Sequence, residues 1–368
     1  MRICLIAPLP PFRGGIAKYC HSLALELEQR HELLLLSYQR QYPEILYGRS
    51  SQVDPDVRKE TILGHFARLS YDIDSANPLS WRQAAQAIGA FQPEMVIIPW
   101  WVAYWTPLYL YLLFVLKRRG IRVLFLCINV YEHEGSRLKD LLTRFILRRV
   151  DDIIVHSRQE LDLIRTFNRT ASVKIQLLPL FLYDAPPQEK TGTGLRLLFF
   201  GFVRSYKGLD TLLQALAILK KYDILLRVAG EFWHDKGGYL KLIRELDLSD
   251  RVELVDGYLP EMEMGRQFSW ADLVVLPYKK SITSGVLATA YGFRKPVLVT
   301  DVGGFSEAVE DGRTGRIVPP DDPRALAEGI LWFLENRETD FAGNISSFTA
   351  EKMSWSSLVD TIEGFRGT

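Results

Sequence analysis

Cysteine is scarce in this chain: Cys4, Cys20 and Cys127 are the only three among 368 residues. All stand in apolar surroundings without close metal-ligand spacing, so buried reduced thiols are expected in preference to disulfide bridges or a cysteine-held metal. An excess of one charge is lacking too, because a formal net charge of +1 leaves no overall field to attract nucleic acid. Neither a low-complexity tract nor a repeat at a solenoid period occurs. The amino-terminal run ICLIAP is too short for the apolar core of a secretory leader, so a cytoplasmic location is expected, and Asn168 and Asn344 carry no weight as glycosylation sites.

Long apolar runs are nearly absent as well. The one that approaches a membrane span, PWWVAYWTPLYLYLLFVL at 99–116, barely reaches the necessary length. Pro107 falls at a helix N1 position just behind a strand, which parses this stretch as a short loop and a buried helix. Trp100, Trp101, Tyr104 and Trp105 then lie beyond the carboxyl end of a strand, where they either line a cleft for an apolar or sugar acceptor or pack in the core.

What is present is the alternation of an α/β protein. A composition 48% hydrophobic and 24% charged is that of a soluble globular chain long enough for two or three domains. Strand-length apolar runs recur at Ile3 to Ala7, Leu33 to Leu36, Met95 to Ile98, Val123 to Ile128 and Ile153 to Val155, separated by segments of helical periodicity such as Ile16 to Leu27. The polar, Pro- and Gly-rich DAPPQEKTGTG at 184–194 reads as a linker. The pattern then restarts, with strands expected at Leu197 to Phe200, Leu225 to Ala229, Val252 to Val255, Leu273 to Leu276 and Val297 to Val299, each apolar enough for a parallel sheet buried on both faces. The expected domains are 1–183 and 195–345, with a helical segment at 346–368. Ligands of such sheets bind at the carboxyl ends of the strands.

Several residues stand at such ends. Ser284 and Gly285 open an apolar helix after a polar loop, and the first turn of a helix offers unpaired N–H groups and the positive end of its dipole to a phosphate or a sugar. Gly14 and Gly15 sit between the first strand and a helix, where they offer backbone donors to an anion or meet the needs of a tight turn, and Arg13 adds charge there. Tyr258 ends a strand of the second half and either stacks on a base or is an ordinary strand-end aromatic. Arg137, Lys139, Arg144, Arg148 and Arg149 share a segment with Leu138, Leu141, Leu142, Phe145 and Ile146, a basic amphipathic helix that suits either an anionic membrane surface or a solvated outer face.

Four segments together resemble the retaining family-4 glycosyltransferases of the GT-B fold over nearly the whole chain: PLPPFRGGIAKY, CINVYEHE, GFVRSYKGLDTLLQAL and SGVLATAYGFRKPVLVTDVGGFSEAVEDGRTG. The resemblance implies two Rossmann-like domains with parallel sheets facing across a cleft and a terminal helix that packs back on the first domain. It also implies a nucleotide-diphosphate sugar held mainly by the second domain, a hydroxyl acceptor held mainly by the first, and retention of anomeric configuration. No cofactor or metal is expected. Breaking the bond from sugar to diphosphate leaves charge on phosphate oxygens, so the chemistry needs fixed cations. Arg204 and Lys207 follow the strand Leu197 to Phe200 and the turn at Gly201, where a guanidinium forks onto phosphate oxygens and an ammonium adds a mobile charge. Asn129 and His133, within CINVYEHE, are expected to position the sugar or act as base, although a histidine common in relatives is replaced at Ile128. Paired glutamates eight residues apart in many relatives are replaced by Ser281 and Thr289. That change alters the donor or removes activity, and the second outcome would leave a non-catalytic sugar-binding or membrane-docking protein.

Overall fold

The computed structural model describes the chain outside residues 14, 44–51, 55, 56, 58, 131–135, 184–193, 234, 258, 281–283 and 366–368, and outside the side chains at 60, 61 and 261. Two compact units form, one of Met1–Gln176 with Trp355–Thr368 and the other of Leu177–Ser354. The chain therefore crosses between them at Gln176 and again at Ser354, while nearly all of the expected linker lies outside the described residues.

The first unit runs β1 (Arg2–Ile6), α1 (Gly15–Glu28), β2 (Glu32–Arg40), α2 (Lys59–Leu63), β3 (Leu69–Asp74), α3 (Pro78–Phe91), β4 (Met95–Trp100), a 3-10 turn (Ala103–Trp105), α4 (Thr106–Arg118), β5 (Arg122–Cys127), α5 (Arg137–Leu147), β6 (Asp152–Val155), α6 (Arg158–Phe167) and β7 (Ser172–Ile175). The second runs β8 (Leu195–Phe200), a 3-10 turn (Ser205–Lys207), α7 (Leu209–Ile218), β9 (Ile224–Ala229), α8 (Lys236–Glu245), β10 (Val252–Val255), α9 (Glu261–Trp270), β11 (Leu273–Leu276), α10 (Gly285–Gly292), β12 (Val297–Thr300), α11 (Phe305–Ala308), β13 (Gly315–Val318), α12 (Pro323–Glu335) and α13 (Phe341–Lys352). The chain then returns to the first unit as α14 (Trp355–Glu363).

Each unit holds one parallel sheet. The strand order is β3-β2-β1-β4-β5-β6-β7 in the first and β10-β9-β8-β11-β12-β13 in the second. Both orders reverse direction once, between β1 and β4 and between β8 and β11, and the crevice beyond the carboxyl ends at such a reversal is where doubly wound sheets take ligands. The central strands are buried along their length, as in MVIIPW of β4 and LVVL of β11, because helices cover both faces. No residue of β7 is fully buried, and β3 and β13 are buried only in part, since edge strands meet solvent on one side.

Local sequence sets the helix starts. Asn77 accepts the Leu79 N–H at 3.1 Å with Pro78 in the first turn, Ser157 accepts the Glu160 N–H, and Asp322 accepts from Arg324 and Ala325 ahead of α12. The apolar stretch near residue 100 divides as its Pro107 suggests, into β4, a turn and the thirteen-residue α4. No helix among the described residues is long and apolar enough to cross a membrane.

Candidate active site

In the second unit the sheet reversal between β8 and β11 gathers Gly201, Arg204, Lys207 and the start of α10. Gly201 leaves β8 at φ +93°, a backbone conformation that favours glycine. A Cβ at Gly201 would lie 3.3 Å from the Lys207 Nζ and 3.4 Å from the Val286 Cγ2, so the ammonium, the end of β8 and the first turn of α10 meet at one point. Lys207 is buried, with its Nζ 5.4 Å from the centre of the Tyr278 ring. Desolvation lowers its pKa to about 8, the positive charge of Arg204 acts in the same direction, and no carboxylate among the described residues offsets them. A buried cation with no anionic partner is a site that an incoming phosphate would complete.

Arg204 is held by its neighbours. The Val203 N–H donates to Glu231 O at 2.9 Å and the Trp233 N–H to Val203 O at 3.4 Å, which stitches the loop after β8 to the loop after β9. The guanidinium carbon rests 3.9 Å from the centre of the Trp233 ring, and Trp233 packs at 5.2 Å on Phe202. Both aromatic side chains are nearly half exposed, so the cation lies on an open platform. The turn carrying Lys207 ends at Gly208, whose φ is +70° and whose Cβ would sit 1.9 Å from Pro277 O. This close approach, with the Lys279 N–H donating to Tyr206 O at 2.8 Å, locks the turn against the exit of β11. Lys279 itself pairs with Asp210 at 2.8 Å and Asp321 at 3.2 Å, so its charge is spent on structure.

Ser284 caps α10 by accepting the Leu287 N–H, and the space where Gly285 would carry a Cβ is open, which leaves backbone there approachable beside Lys207. Thr289 donates its hydroxyl to Gly285 O at 2.8 Å inside its own helix. Tyr258 and Ser281 lie outside the described residues.

In the first unit Asn129 stands just beyond β5, half-buried, on a loop clamped from both sides. The Ile128 N–H donates to Trp100 O at 2.8 Å, and the Trp100 indole N–H donates to Val130 O at 3.3 Å. The carboxylate of the buried Glu160 accepts the N–H of Val130 and that of His156, each at 3.1 Å. Trp100 therefore does not line an acceptor surface: it is 1% exposed, stacks with Phe125, and supports the Asn129 loop from within the core. Trp105 is equally buried, against Tyr38 and Tyr109. Trp101 and Tyr104 are half-buried, bonded to the Tyr42 hydroxyl at 3.2 Å and the Ser75 hydroxyl at 3.0 Å. Arg13 and Gly15 are exposed at the start of α1, while Gly14 and His133 lie outside the described residues.

Sequence reasoning did not single out Glu160, Trp233 or Phe202. Glu160 carried a signal, the Ser157-x-x-Glu160 spacing of a capping box at the head of α6. Trp233 and Phe202 carried none, because only the pairing of β8 with β9 brings their loops together. No group of three or more His, Cys, Asp or Glu side chains able to hold a metal occurs among the described residues.

The Glycosyl transferase 4-like domain family matches residues 14–180, and the Glycosyl transferases group 1 family matches residues 194–336. A D-inositol 3-phosphate glycosyltransferase of Paenarthrobacter aurescens is 26% identical over 253 residues, which are 64% of this chain and 60% of that protein. The matched stretches span between 32% and 60% of the length of the curated relatives. Among solved structures, sucrose-phosphate synthase from Thermosynechococcus elongatus superposes with a TM-score of 0.72 at 18% identity, covering 99% of this chain and 98% of that one. Anabaena HepE in complex with UDP gives 0.70 at 14% identity, covering 99% of each chain. Matched in both halves by these two families and sharing this fold along its length, the chain belongs to the GT-B glycosyltransferases.

Proposed function

We propose that the protein transfers a sugar from a nucleotide-diphosphate donor to a hydroxyl acceptor with retention of anomeric configuration. The observation that carries this reading is the buried Lys207, with no carboxylate beside it among the described residues, next to Arg204 and the first turn of α10. Two cations and a helix start form a receptor for a diphosphate, and they stabilise the charge that grows on its oxygens as the glycosidic bond breaks. The acceptor hydroxyl attacks the anomeric carbon on the face the diphosphate leaves, and its proton passes to a phosphate oxygen. Asn129, fixed by Trp100 and Glu160, orients a sugar or acceptor hydroxyl. In this reading the charge is met by Arg204 and Lys207, and no metal takes part.

UDP is the first donor base to test, because the Anabaena relative of this fold is known with UDP bound. Calorimetry with UDP, GDP, ADP and dTDP, followed by their sugar conjugates, is expected to show one base bound selectively. Arg204→Ala is expected to weaken that binding roughly tenfold or more, as loss of a charged hydrogen-bonding partner does. Proton NMR of the product then reads the anomeric configuration. Inversion would overturn the retaining mechanism, and absence of binding to every nucleotide by folded protein would overturn the donor site.

A second reading, a sugar-nucleotide binding protein without turnover, is favoured by Thr289, whose hydroxyl is turned back onto Gly285 O where many relatives would hold a carboxylate. Selective binding without product over a wide acceptor panel is the outcome that reading expects.

A further inference from the structure

Helix α5 is amphipathic on its inner side and carries a second apolar stripe on its outer side. Thr143, Ile146 and Leu147 are buried inward, yet Leu138, Leu141 and Phe145 are 65%, 63% and 44% exposed. Their spacing of three and four residues sets them along one line of the helix surface. Isolated exposed leucines are ordinary, but three large apolar side chains in one stripe are a surface that water covers poorly. The adjacent α4, which packs against α5, adds Phe114 at 56% exposure with the Arg118 guanidinium 4.1 Å from its ring centre.

The stripe is framed by cations. Arg137, Lys139, Arg144, Arg148 and Arg149 are all exposed, and Asp140 is the only acidic residue from 137 to 149, a local charge of +4 in a chain whose formal total is +1. Arg149 lies 3.6 Å from the centre of the Phe145 ring, so charge and apolar surface are joined in one patch. Long basic side chains beside an apolar stripe suit the boundary where headgroups meet acyl chains: the stems and rings enter the apolar layer while the charges stay at anionic phosphates.

We propose that the outer face of α5 docks the protein on the surface of an anionic lipid membrane. Charge selects this occupant over a second copy of the chain, since a two-fold contact would set this cationic face against itself. The apolar stripe selects it over nucleic acid, whose backbone would use the arginines and leave the leucines in water. The docking needs no nucleotide or sugar, so it stands or falls independently of the donor site.

The test is flotation of the full-length protein with vesicles of phosphatidylcholine alone and of equal parts phosphatidylcholine and phosphatidylglycerol, at low and high salt. Binding is expected only to the anionic vesicles and to weaken with salt. Arg144→Gln/Arg148→Gln is expected to weaken it roughly 30-fold, at about a fivefold loss per arginine. Leu138→Ser/Leu141→Ser is expected to weaken it as well, and since both leucines are exposed the variant keeps its melting temperature. Absence of binding to anionic vesicles overturns the proposal. Equal binding by the wild-type chain and the leucine variant also overturns it, because a purely electrostatic contact has no use for the stripe. Sedimentation equilibrium covers the other occupant: a dimer dissolved by the leucine variant, with no lipid binding, would assign this face to a second copy.

Discussion

Lys207 sets the stability of the fold against the donor site proposed for it. Its burial lowers the pKa from 10.5 to about 8, which at neutral pH costs the fold up to about 3 kcal/mol. Between those values the unfolded chain keeps its proton and the folded chain releases it, so the penalty is full below pH 8 and fades as pH rises toward 10.5. Lys207→Met is accordingly expected to raise the unfolding midpoint at pH 7 while removing nucleotide binding, read by calorimetry and thermal melts. In the wild-type chain, nucleotide affinity is expected to be flat below pH 8 and to fall by up to about tenfold per pH unit above it, as the ammonium is lost. Trp233 acts on Arg204 through ring and charge at 3.9 Å. Trp233→Leu is expected to weaken nucleotide binding about 3- to 5-fold and Trp233→Phe by less, the scale of an exposed cation–π contact. No change in either would mean that Arg204 is oriented by other neighbours. Arg204 and Lys207 were legible in the sequence because strand, glycine turn and helix follow each other along the chain. Trp233 was not, because it arrives from a different loop.

Among elements, every interior strand was recognisable from sequence, whereas of the four edge strands only β10 was. The interior strands β1, β2, β4, β5 and β6, and β8, β9, β11 and β12, announce themselves as apolar runs because helices bury both of their faces. The strands that went unread, β3, β7 and β13, are all edges, and residues such as Asp72 and Lys174 interrupt their apolar pattern. The loop after β5 depends on α6, since two buried N–H groups end on the Glu160 carboxylate. Glu160→Gln replaces one of the accepting oxygens by an amide that donates. It is expected to destabilise the first unit by about 1–3 kcal/mol in urea unfolding and to lower turnover more than donor affinity, because Asn129 moves while the second unit does not.

On the scale of the whole molecule, the chain's last helix completes its first unit. Leu358, Val359 and Ile362 of α14 are fully buried, Trp355 packs at 5.0 Å on Tyr19 of α1, and the Thr361 hydroxyl donates to Gln176 Oε1 at 2.8 Å. Removing residues 355–368 takes away at least three buried side chains at about 1.5–3 kcal/mol each. Differential scanning calorimetry of the truncated chain is expected to show the transition of the first unit shifted strongly downward and that of the second unchanged. Equal shifts in both would show that the units unfold as one. The sequence alone determined the alternation of strands and helices, the division into two halves and the placement of cations and glycines at strand ends, because those features rest on neighbours in the chain. Tertiary structure alone decided that Trp100 is a core support instead of a sugar platform, that Trp233 underlies Arg204, and that α5 presents leucines outward. Which face of an element is covered and which distant loops meet set these outcomes, and neither can be read from neighbours in the chain.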